Sequence, residues 1–504
     1  MSLARGRELK LELTHDELQQ VRSQPALGSI AAGEPVICRT RSLYFDTPDH
    51  RMRSLGFFVR LRSEGDGWLQ TIEGADGRNE AIDATPVAVA GPDPDVQAIP
   101  DRHVRRTLKK ALKHASLAPV FETVVERTTR RLHASGADVQ LALEEGFVRA
   151  GNAQDSLCGA ELALTSGNPE ALLQAATRLF ADTPVRLPAA SAAEKGYGLA
   201  RGRPGRDGAP HAGSLELRSG QSCAEVFGIL VHTAAEQIAA SRNLVLESEA
   251  PAAAHQLRIG LRRLRSALVA FRPLADSPGL RGLEEQARTL AHSVGALRDA
   301  DVLIEDICGP VTAAMRVDPG LVRLNEALAA HREEARRRVR LELCSRPWAV
   351  LQLKLALCRN GNDDNALAVP IGDFARSAMR RRWRKVAASG ARLEHLSIEE
   401  RHAMRKALKQ LRYTAEFFAS LYPARATRRF IKEVRALQEV FGYLNDVAAA
   451  ERLTAICNTA CAESPEAQRA AGYILGWHNA QAARAWRHAH AGWKKLEAMP
   501  RFWA

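Results

Sequence analysis

The chain has 504 residues, too many for one ordinary hydrophobic core, so its length predicts two to four domains. The formal net charge of +13 favours a polyanionic partner. Residues 1–204 are neutral, with 26 basic and 26 acidic side chains. The whole excess therefore lies in the C-terminal part. No run of about 18 apolar residues occurs, the N-terminus has no apolar signal core, and the cysteines form no CxxC pair. We expect a cytoplasmic protein with no membrane partner.

The first 204 residues alternate between apolar and polar side chains, as in "RELKLEL", "FFVRLRSE", "WLQTIEG" and "ADVQLALEEG". This period of two predicts antiparallel strands. Short helices are expected near 102–117 and 169–180. The stretch "ARGRPGRDGAPHAGS" is rich in Gly, Pro and Arg and predicts a linker. The predicted domains are 1–204 and 216–504, joined by a linker at 205–215.

One face of the first strand is charged, because Glu8 and Lys10 alternate with leucines. Such a face suits either a strand exposed to water or the polar interior of a barrel. In a polar tunnel, arginines would bind the phosphates of a triphosphate and carboxylates would coordinate a divalent metal ion. Alternation alone leaves both interpretations open.

From residue 216 the apolar spacing is helical almost to the end and contains an internal repeat. "HQLRIGLRRLRSALVAF" from His255 aligns with "HAMRKALKQLRYTAEFF" from His402, an offset of 147 residues. The same offset pairs Arg288 with Arg435 and Asp299 with Asp446. The repeat predicts two helical bundles related by a pseudo-twofold axis.

Each repeat helix carries four basic side chains within an arc of about 80°. They are His255, Arg258, Arg262 and Arg265 in the first repeat and His402, Arg405, Lys409 and Arg412 in the second. A solvated basic face and a phosphate-binding site both fit one such helix, but duplication in register favours the site. To this predicted site we add Arg288, Arg435, Arg376 and Arg380.

Nucleic acid is the competing polyanion, and the composition disfavours it. Aromatic residues make up 5% of the chain, and none alternates with the basic residues to form a stacking platform. A phosphate polymer without bases is therefore the expected partner.

The duplicated histidine motif, with "GALRDADVL" and "GYLNDVAAA", resembles the CHAD domain over roughly 219–495. The resemblance implies an all-helical fold of two four-helix bundles with a basic groove that binds inorganic polyphosphate or other short phosphate polymers. The eight residues of the two basic faces would line this groove. Asp299 and Asp446 would order basic side chains or cap helices.

The segments "RELKLEL", "YFDTPDHRMRSLGFFVRLRSEGDGWLQTIEG", "FETVVERTTRRL" and "AAEKGYGL" resemble the CYTH domain, a triphosphate tunnel fold, over 8–199. The resemblance implies an α+β fold with an antiparallel β-barrel and an inorganic triphosphatase that uses Mg or Mn. The implied tunnel residues are Lys10, Arg39, Arg41, Arg60, Arg62 and Arg127, with Glu8, Glu144 and Glu161 as metal ligands and Glu80 as a further candidate.

Several positions depart from the tunnel pattern. Acids usual in the family are replaced by Gly6, Gln140, Gly159 and Ala163, and lysines by Glu73 and Ala192. We therefore predict a polyphosphate-binding protein, associated with polyphosphate granules, whose groove needs no cofactor and whose tunnel is catalytically impaired. The alternative is a triphosphatase that depends on Mg or Mn.

Overall fold

The computed structural model describes residues 8–64, 67–74, 86–112, 115–180, 182–183, 185–188, 190–202, 215–315, 318–358 and 367–504. These residues form two compact units, divided between residues 202 and 215. Glu80 and the greater part of the predicted linker lie outside the described residues.

The first unit is built on one antiparallel sheet, which confirms the strands expected from the alternating pattern. Its order is β1-β8-β7-β6-β2-β3-β4-β5. The strands are β1 (Glu8–Glu12), β2 (Ala31–Asp46), β3 (Phe57–Glu64), β4 (Gly67–Gly74), β5 (Val87–Val89), β6 (Ala118–Ala134), β7 (Ala137–Ala150) and β8 (Ala153–Ser166).

Six helices accompany this sheet in the described part of the chain. They are α1 (His15–Arg22), α2 (Pro25–Ile30), α3 (Arg51–Ser54), α4 (Arg102–Ala111), α5 (Pro169–Phe180) and α6 (Ala192–Ala200). Helix α5 has the predicted bounds, whereas α4 ends earlier than expected. Helix α6 begins with a capping box, in which Ser191 and Glu194 each accept a hydrogen bond from the other's backbone N–H. This cap fixes α6 against strands β6, β7 and β8.

The second unit is helical, as the sequence predicts. Its helices are α7 (Cys223–Glu247), α8 (Pro251–Phe271), α9 (Pro278–Val302), α10 (Gly309–Ala314), α11 (Pro319–Leu343), α12 (Arg346–Leu357), α13 (Ile371–Gly390), α14 (Ile398–Phe417), α15 (Ala424–Ala449), α16 (Glu451–Ala460) and α17 (Pro465–Glu497). A π-helical segment, Leu303–Cys308, continues α9.

The internal repeat extends to the helix bounds and to the packing. An offset of 147 residues carries α7, α8, α9 and α11 onto α13, α14, α15 and α17, with starting points that agree within a residue. In the first repeat α8 packs on α7 and α9, and α9 packs on α11; in the second, α14 packs on α13 and α15, and α15 packs on α17. Each repeat therefore supplies four corresponding helices.

Buried hydrophobic clusters lie both within the repeats and between them. One buried cluster is centred on α7, α8 and α9, and another on α13, α14, α15 and α17. The two repeats meet along α8 and α14, which carry the basic faces, and also where α11 packs on α17.

Candidate functional site

Helix α8 is oriented by an apolar stripe that runs beside its basic residues. Leu257, Leu261 and Leu264 are fully buried, and Leu268 is nearly so. In the second repeat, Met404, Leu408 and Leu411 form the corresponding buried stripe. Because the basic side chains project next to this stripe, burying the leucines directs the cations along the seam between the two helices.

A groove of about 520 Å³ lies between α8 and α14. We call it the α8–α14 groove. Its lining combines seven arginine or lysine side chains and two histidines, with no aspartate or glutamate among the described residues. The basic members are Arg258, Arg262, Arg265, Arg288, His292, His402, Arg405, Lys406 and Lys409.

The cations of the groove are partly buried beside one another. Burial, reinforced by the charges of Arg262, Arg405 and Arg258, lowers the pKa of Lys409 to about 6. Burial likewise lowers the pKa of Arg405, where the carboxylate of Asp446 opposes the shift. Like charges that are crowded in this way repel one another, so an anion that enters and neutralises them lowers the free energy of the protein.

Asp299 and Asp446 order basic side chains at one end of the groove, which is the role the resemblance implies for them. Arg258 donates from Nη1 to Asp299 Oδ1 at 3.0 Å and to the Gly295 carbonyl at 3.1 Å. Arg405 lies 3.7 Å from Asp446, measured between Nη2 and Oδ1. These contacts hold the central arginines in place.

The first unit contains a separate cavity of about 610 Å³, enclosed by the charged face of the sheet and α6. We call it the sheet cavity. Its lining includes Lys10, Arg60, Arg127, Glu144 and Glu161 from the predicted set. Three of the departures from the tunnel pattern, Glu73, Gly159 and Ala192, also line it.

Each central cation of the sheet cavity is paired with a carboxylate. Arg127 donates to Glu144 at 2.6 Å and to Glu161 at 3.0 Å. Arg60 lies 2.8 Å from Glu73, and Lys195 donates to Glu12. Lys10 is paired with Glu8 at 2.7 Å. Although burial opposes the charged form, Glu8, Glu161 and Glu144 together raise the pKa of Lys10.

Two predicted tunnel arginines point away from the sheet cavity, so the prediction for them is wrong. Arg39 and Arg41 share a strand face with Phe45, whereas Tyr44, of the opposite parity, lines the cavity. Arg41 donates to Glu122 at 2.8 Å on the outer face. Arg62 has the parity of Arg60 on β3 and therefore shares its face.

Comparisons with known proteins identify a family for each of the two units. A CYTH family model matches residues 4–197, and a CHAD family model matches residues 230–455. The crystal structure of the CHAD domain from the plant Ricinus communis is 28% identical, with a TM-score of 0.51, and covers 59% of this chain and 99% of that one. The chain carries a CYTH domain followed by a CHAD domain.

Two other similar proteins cover different shares of the chain. An uncharacterised protein of Mycobacterium tuberculosis is 27% identical over 455 residues, which is 81% of this chain and 82% of that protein. A Hippeastrum protein described as having a dominant triphosphatase activity is 16% identical, with a TM-score of 0.28, and covers 39% of this chain and 95% of that one. Among the described residues no helix is long and apolar enough to cross a membrane.

The acidic residues of the CYTH domain do not fit a Mg or Mn site as arranged. Both Glu144 and Glu161 bind the guanidinium of Arg127, and Glu8 is paired with Lys10. No group of three potential metal-ligating side chains occurs in the described ranges. A divalent ion takes several oxygen ligands, and here one oxygen of each of these carboxylates is already bound to a cation.

The CHAD domain gathers some predicted groove residues and leaves others out. Arg258, Arg262, Arg265, Arg288, His402, Arg405 and Lys409 line the groove, whereas His255, Arg412, Arg435, Arg376 and Arg380 are not in its lining. Arg412 is held by Glu416 at 2.9 Å, and Arg376 lies 3.3 Å from Asp373. His255 lies on α8 outside this lining, and partial burial of its ring together with the charges of nearby arginines lowers its pKa. We therefore revise the groove set to the lining residues.

The sequence predictions missed three basic residues near the groove. Lys406 follows His402 by four residues, so its place on the same helix face is readable from the sequence. His292 comes from α9 and needs the tertiary packing to be found. Arg452 of α16 binds Asp299 at 2.8 Å in a smaller cavity of about 160 Å³ that adjoins Arg258 and Arg405.

Proposed function

We propose that this protein binds inorganic polyphosphate in the α8–α14 groove. The observation that carries the proposal is the convergence of seven arginine or lysine side chains from both repeats in a lining with no carboxylate among the described residues. Guanidinium and ammonium groups are the preferred partners of phosphate oxygens. Such binding would place the protein on polyphosphate granules in the cytoplasm.

The groove suits a phosphate chain better than a nucleic acid. Its one aromatic residue in the described lining, Tyr413, is 1% exposed and offers no face on which a base could stack. The Nε atoms of Arg265 and Arg405 are buried and have no hydrogen-bond partner among the described residues. Buried donors of this kind are costly unless a ligand satisfies the side chain that carries them.

A triple variant tests this site. Arg262, Arg265 and Lys409 make no hydrogen bond or ion pair with the described residues, so replacing them by Ala removes charge without breaking an internal bond. We expect R262A/R265A/K409A to weaken binding of long-chain polyphosphate at least about 1000-fold, because three charge-assisted contacts are lost and each contributes about 1.5 to 3 kcal/mol. Fluorescence anisotropy with end-labelled polyphosphate measures this change.

The matched control removes the same charges elsewhere. Arg380, Arg384 and Lys385 are exposed on α13, and none lines the groove. We expect R380A/R384A/K385A to change the affinity by less than about threefold, since distant surface charges are screened by salt. Equal losses in the two triple variants would refute the groove as the site. Circular dichroism checks that both variants remain folded.

For the CYTH domain we propose impaired triphosphate hydrolysis. The pairing of Arg60 with Glu73, and of Arg127 with Glu144 and Glu161, leaves the cations neutralised by the protein's own carboxylates. Removing one preorganised electrostatic partner commonly costs about 100- to 1000-fold in rate. We therefore expect tripolyphosphate turnover with Mg or Mn at least about 100-fold below that of a relative with an intact tunnel motif.

A binding measurement examines the role of Glu73 directly. In E73K a cation replaces the carboxylate beside Arg60, so we expect tripolyphosphate to bind about tenfold more tightly than to the wild type. Isothermal titration calorimetry measures this affinity, with E170Q, at an exposed glutamate of α5, as the control. Wild-type turnover comparable to that of an intact relative would instead establish the triphosphatase alternative.

A further inference from the structure

One partly buried carboxylate distinguishes the two repeats of the CHAD domain. In the second repeat Glu416, whose side chain is 18% exposed, lies 2.9 Å from Arg412 Nη1 and 3.3 Å from Arg435 Nη2. Arg412 also donates from Nε to Gln438 at 2.8 Å. Both arginines are thus paired within the protein, and neither is in the lining of the groove.

The first repeat has no corresponding carboxylate. The offset of 147 residues places Val269 opposite Glu416, and Val269 lines the groove together with Arg265 and Arg288. No hydrogen bond joins Arg265 to a carboxylate in the described ranges. Arg288 is paired with Glu285, but both side chains are about 60% exposed, and pairs of this kind contribute little.

The electrostatic consequence differs between the first-repeat side and the second-repeat side of the groove. Burial, with the charges of Arg288 and Arg262, lowers the pKa of Arg265, while Glu284 opposes the shift. An entering phosphate relieves this crowding of positive charge. On the second-repeat side the carboxylate of Glu416 already neutralises Arg412 and Arg435 and repels a phosphate.

We propose that Glu416 confines bound polyphosphate to the central and first-repeat part of the groove and so limits how many phosphates the domain contacts. The inference rests on the proposed polyphosphate binding and adds which part of the groove the polymer occupies. The chain would run from Arg405 and Lys409 towards Arg265 and Arg288, and it would not reach Arg412 or Arg435.

The variant E416Q tests the proposal, because glutamine keeps the shape and the hydrogen-bond acceptor but removes the charge. We expect it to bind long-chain polyphosphate about tenfold more tightly than the wild type, with tripolyphosphate changed by less than about threefold. The added contacts should also increase the magnitude of the slope of log affinity against log salt concentration by about one to two. Anisotropy titrations over chain length and salt measure both effects.

The chain supplies a matched control and a reciprocal variant. Glu334 on α11 also binds two arginines, Arg337 at 2.9 Å and Arg338 at 2.6 Å, away from the groove. We expect E334Q to bind polyphosphate as the wild type does. Conversely, V269E places a carboxylate beside Arg265, and we expect it to weaken long-chain binding about tenfold or more.

The outcomes separate this inference from the proposed function. In one outcome, the triple variant R262A/R265A/K409A abolishes binding while E416Q keeps the wild-type dependence of affinity on salt and on chain length. In that case the role of Glu416 is wrong, and the groove remains the binding site. If E416Q proves unstable, V269E decides, and unchanged binding in V269E overturns the proposal. A gain in E334Q equal to that in E416Q would also overturn it.

Discussion

At the residue scale, Lys409 connects the geometry of the groove to pH. The side chain lies between Arg262 and Arg405, and burial with these charges lowers its pKa to about 6. In the free protein its amine is therefore mostly neutral above pH 7. A bound phosphate chain favours the ammonium form and raises this pKa, so binding takes up a proton.

This linkage gives a pH dependence with a definite sign. Because a proton is taken up on binding, we expect the affinity for polyphosphate to fall by about 3- to 10-fold per pH unit from pH 7 to 9, above the range in which histidines titrate. K409R should bind with little pH dependence, since arginine stays charged. Calorimetry in buffers of different ionisation enthalpy measures the proton uptake.

The control for this prediction is K385R, the same substitution on the exposed face of α13. It should keep the wild-type pH dependence. A flat profile for the wild type between pH 7 and 9 would show that Lys409 is charged before the polymer binds.

Single residues also show what the sequence could reveal of the groove. Helical spacing places Arg258, Arg262 and Arg265 on one face, and the structure keeps them together. The same spacing of four residues joins Arg412 to Glu416, so the neutralisation of Arg412 was readable as an i,i+4 pair. The contribution of His292 was not readable, because its place depends on how α9 packs against α8.

At the scale of elements, periodicity predicted whether a segment forms a helix or a strand better than it predicted which face of that segment lines a cavity. Alternation identified β1, β3, β4 and β7 as strands, and the resemblance to the CYTH domain assigned Arg39 and Arg41 of β2 to the tunnel interior. The parity of Arg39 and Arg41 is that of Phe45, which is buried in the core against Val104 and Leu108 of α4. A strand has two faces, and alternation alone does not say which one an enclosed cavity uses.

The strands also show why two substitutions in the CYTH domain differ in how readily they could be reversed. Gly159 on β8 sits so close to β1 that a Cβ there would lie 2.8 Å from the Leu11 carbonyl oxygen. An acidic side chain at this position would require the backbone of β1 to move. At Glu73, by contrast, the side chain already reaches Arg60, so a change of charge there needs no change of backbone.

At the scale of the whole molecule, charge and architecture divide at the same place. The N-terminal 204 residues are neutral, and their cavity cations are internally paired, whereas the groove cations of the helical unit have no carboxylate in the described lining. Composition thus indicated which unit gathers the excess positive charge. It did not indicate that the sheet cavity would neutralise its own arginines, which depends on contacts between residues distant in sequence.

This division predicts that the helical unit suffices for binding. All described lining residues of the groove fall between Arg258 and Tyr413. We expect a fragment of residues 215–504 to bind long-chain polyphosphate within about threefold of the affinity of the full chain, as measured by anisotropy at matched salt. A folded fragment, verified by circular dichroism, that binds more than tenfold more weakly would contradict this expectation.

The tandem arrangement of the repeats has a genetic consequence. In a homodimer of identical half-units, any substitution appears twice and the interface remains symmetric. Here both halves lie in one chain, so a single codon change at position 269 or 416 alters one side of the groove and leaves the other unchanged. The duplication gives the domain two sites of the same origin whose charge can be adjusted one at a time.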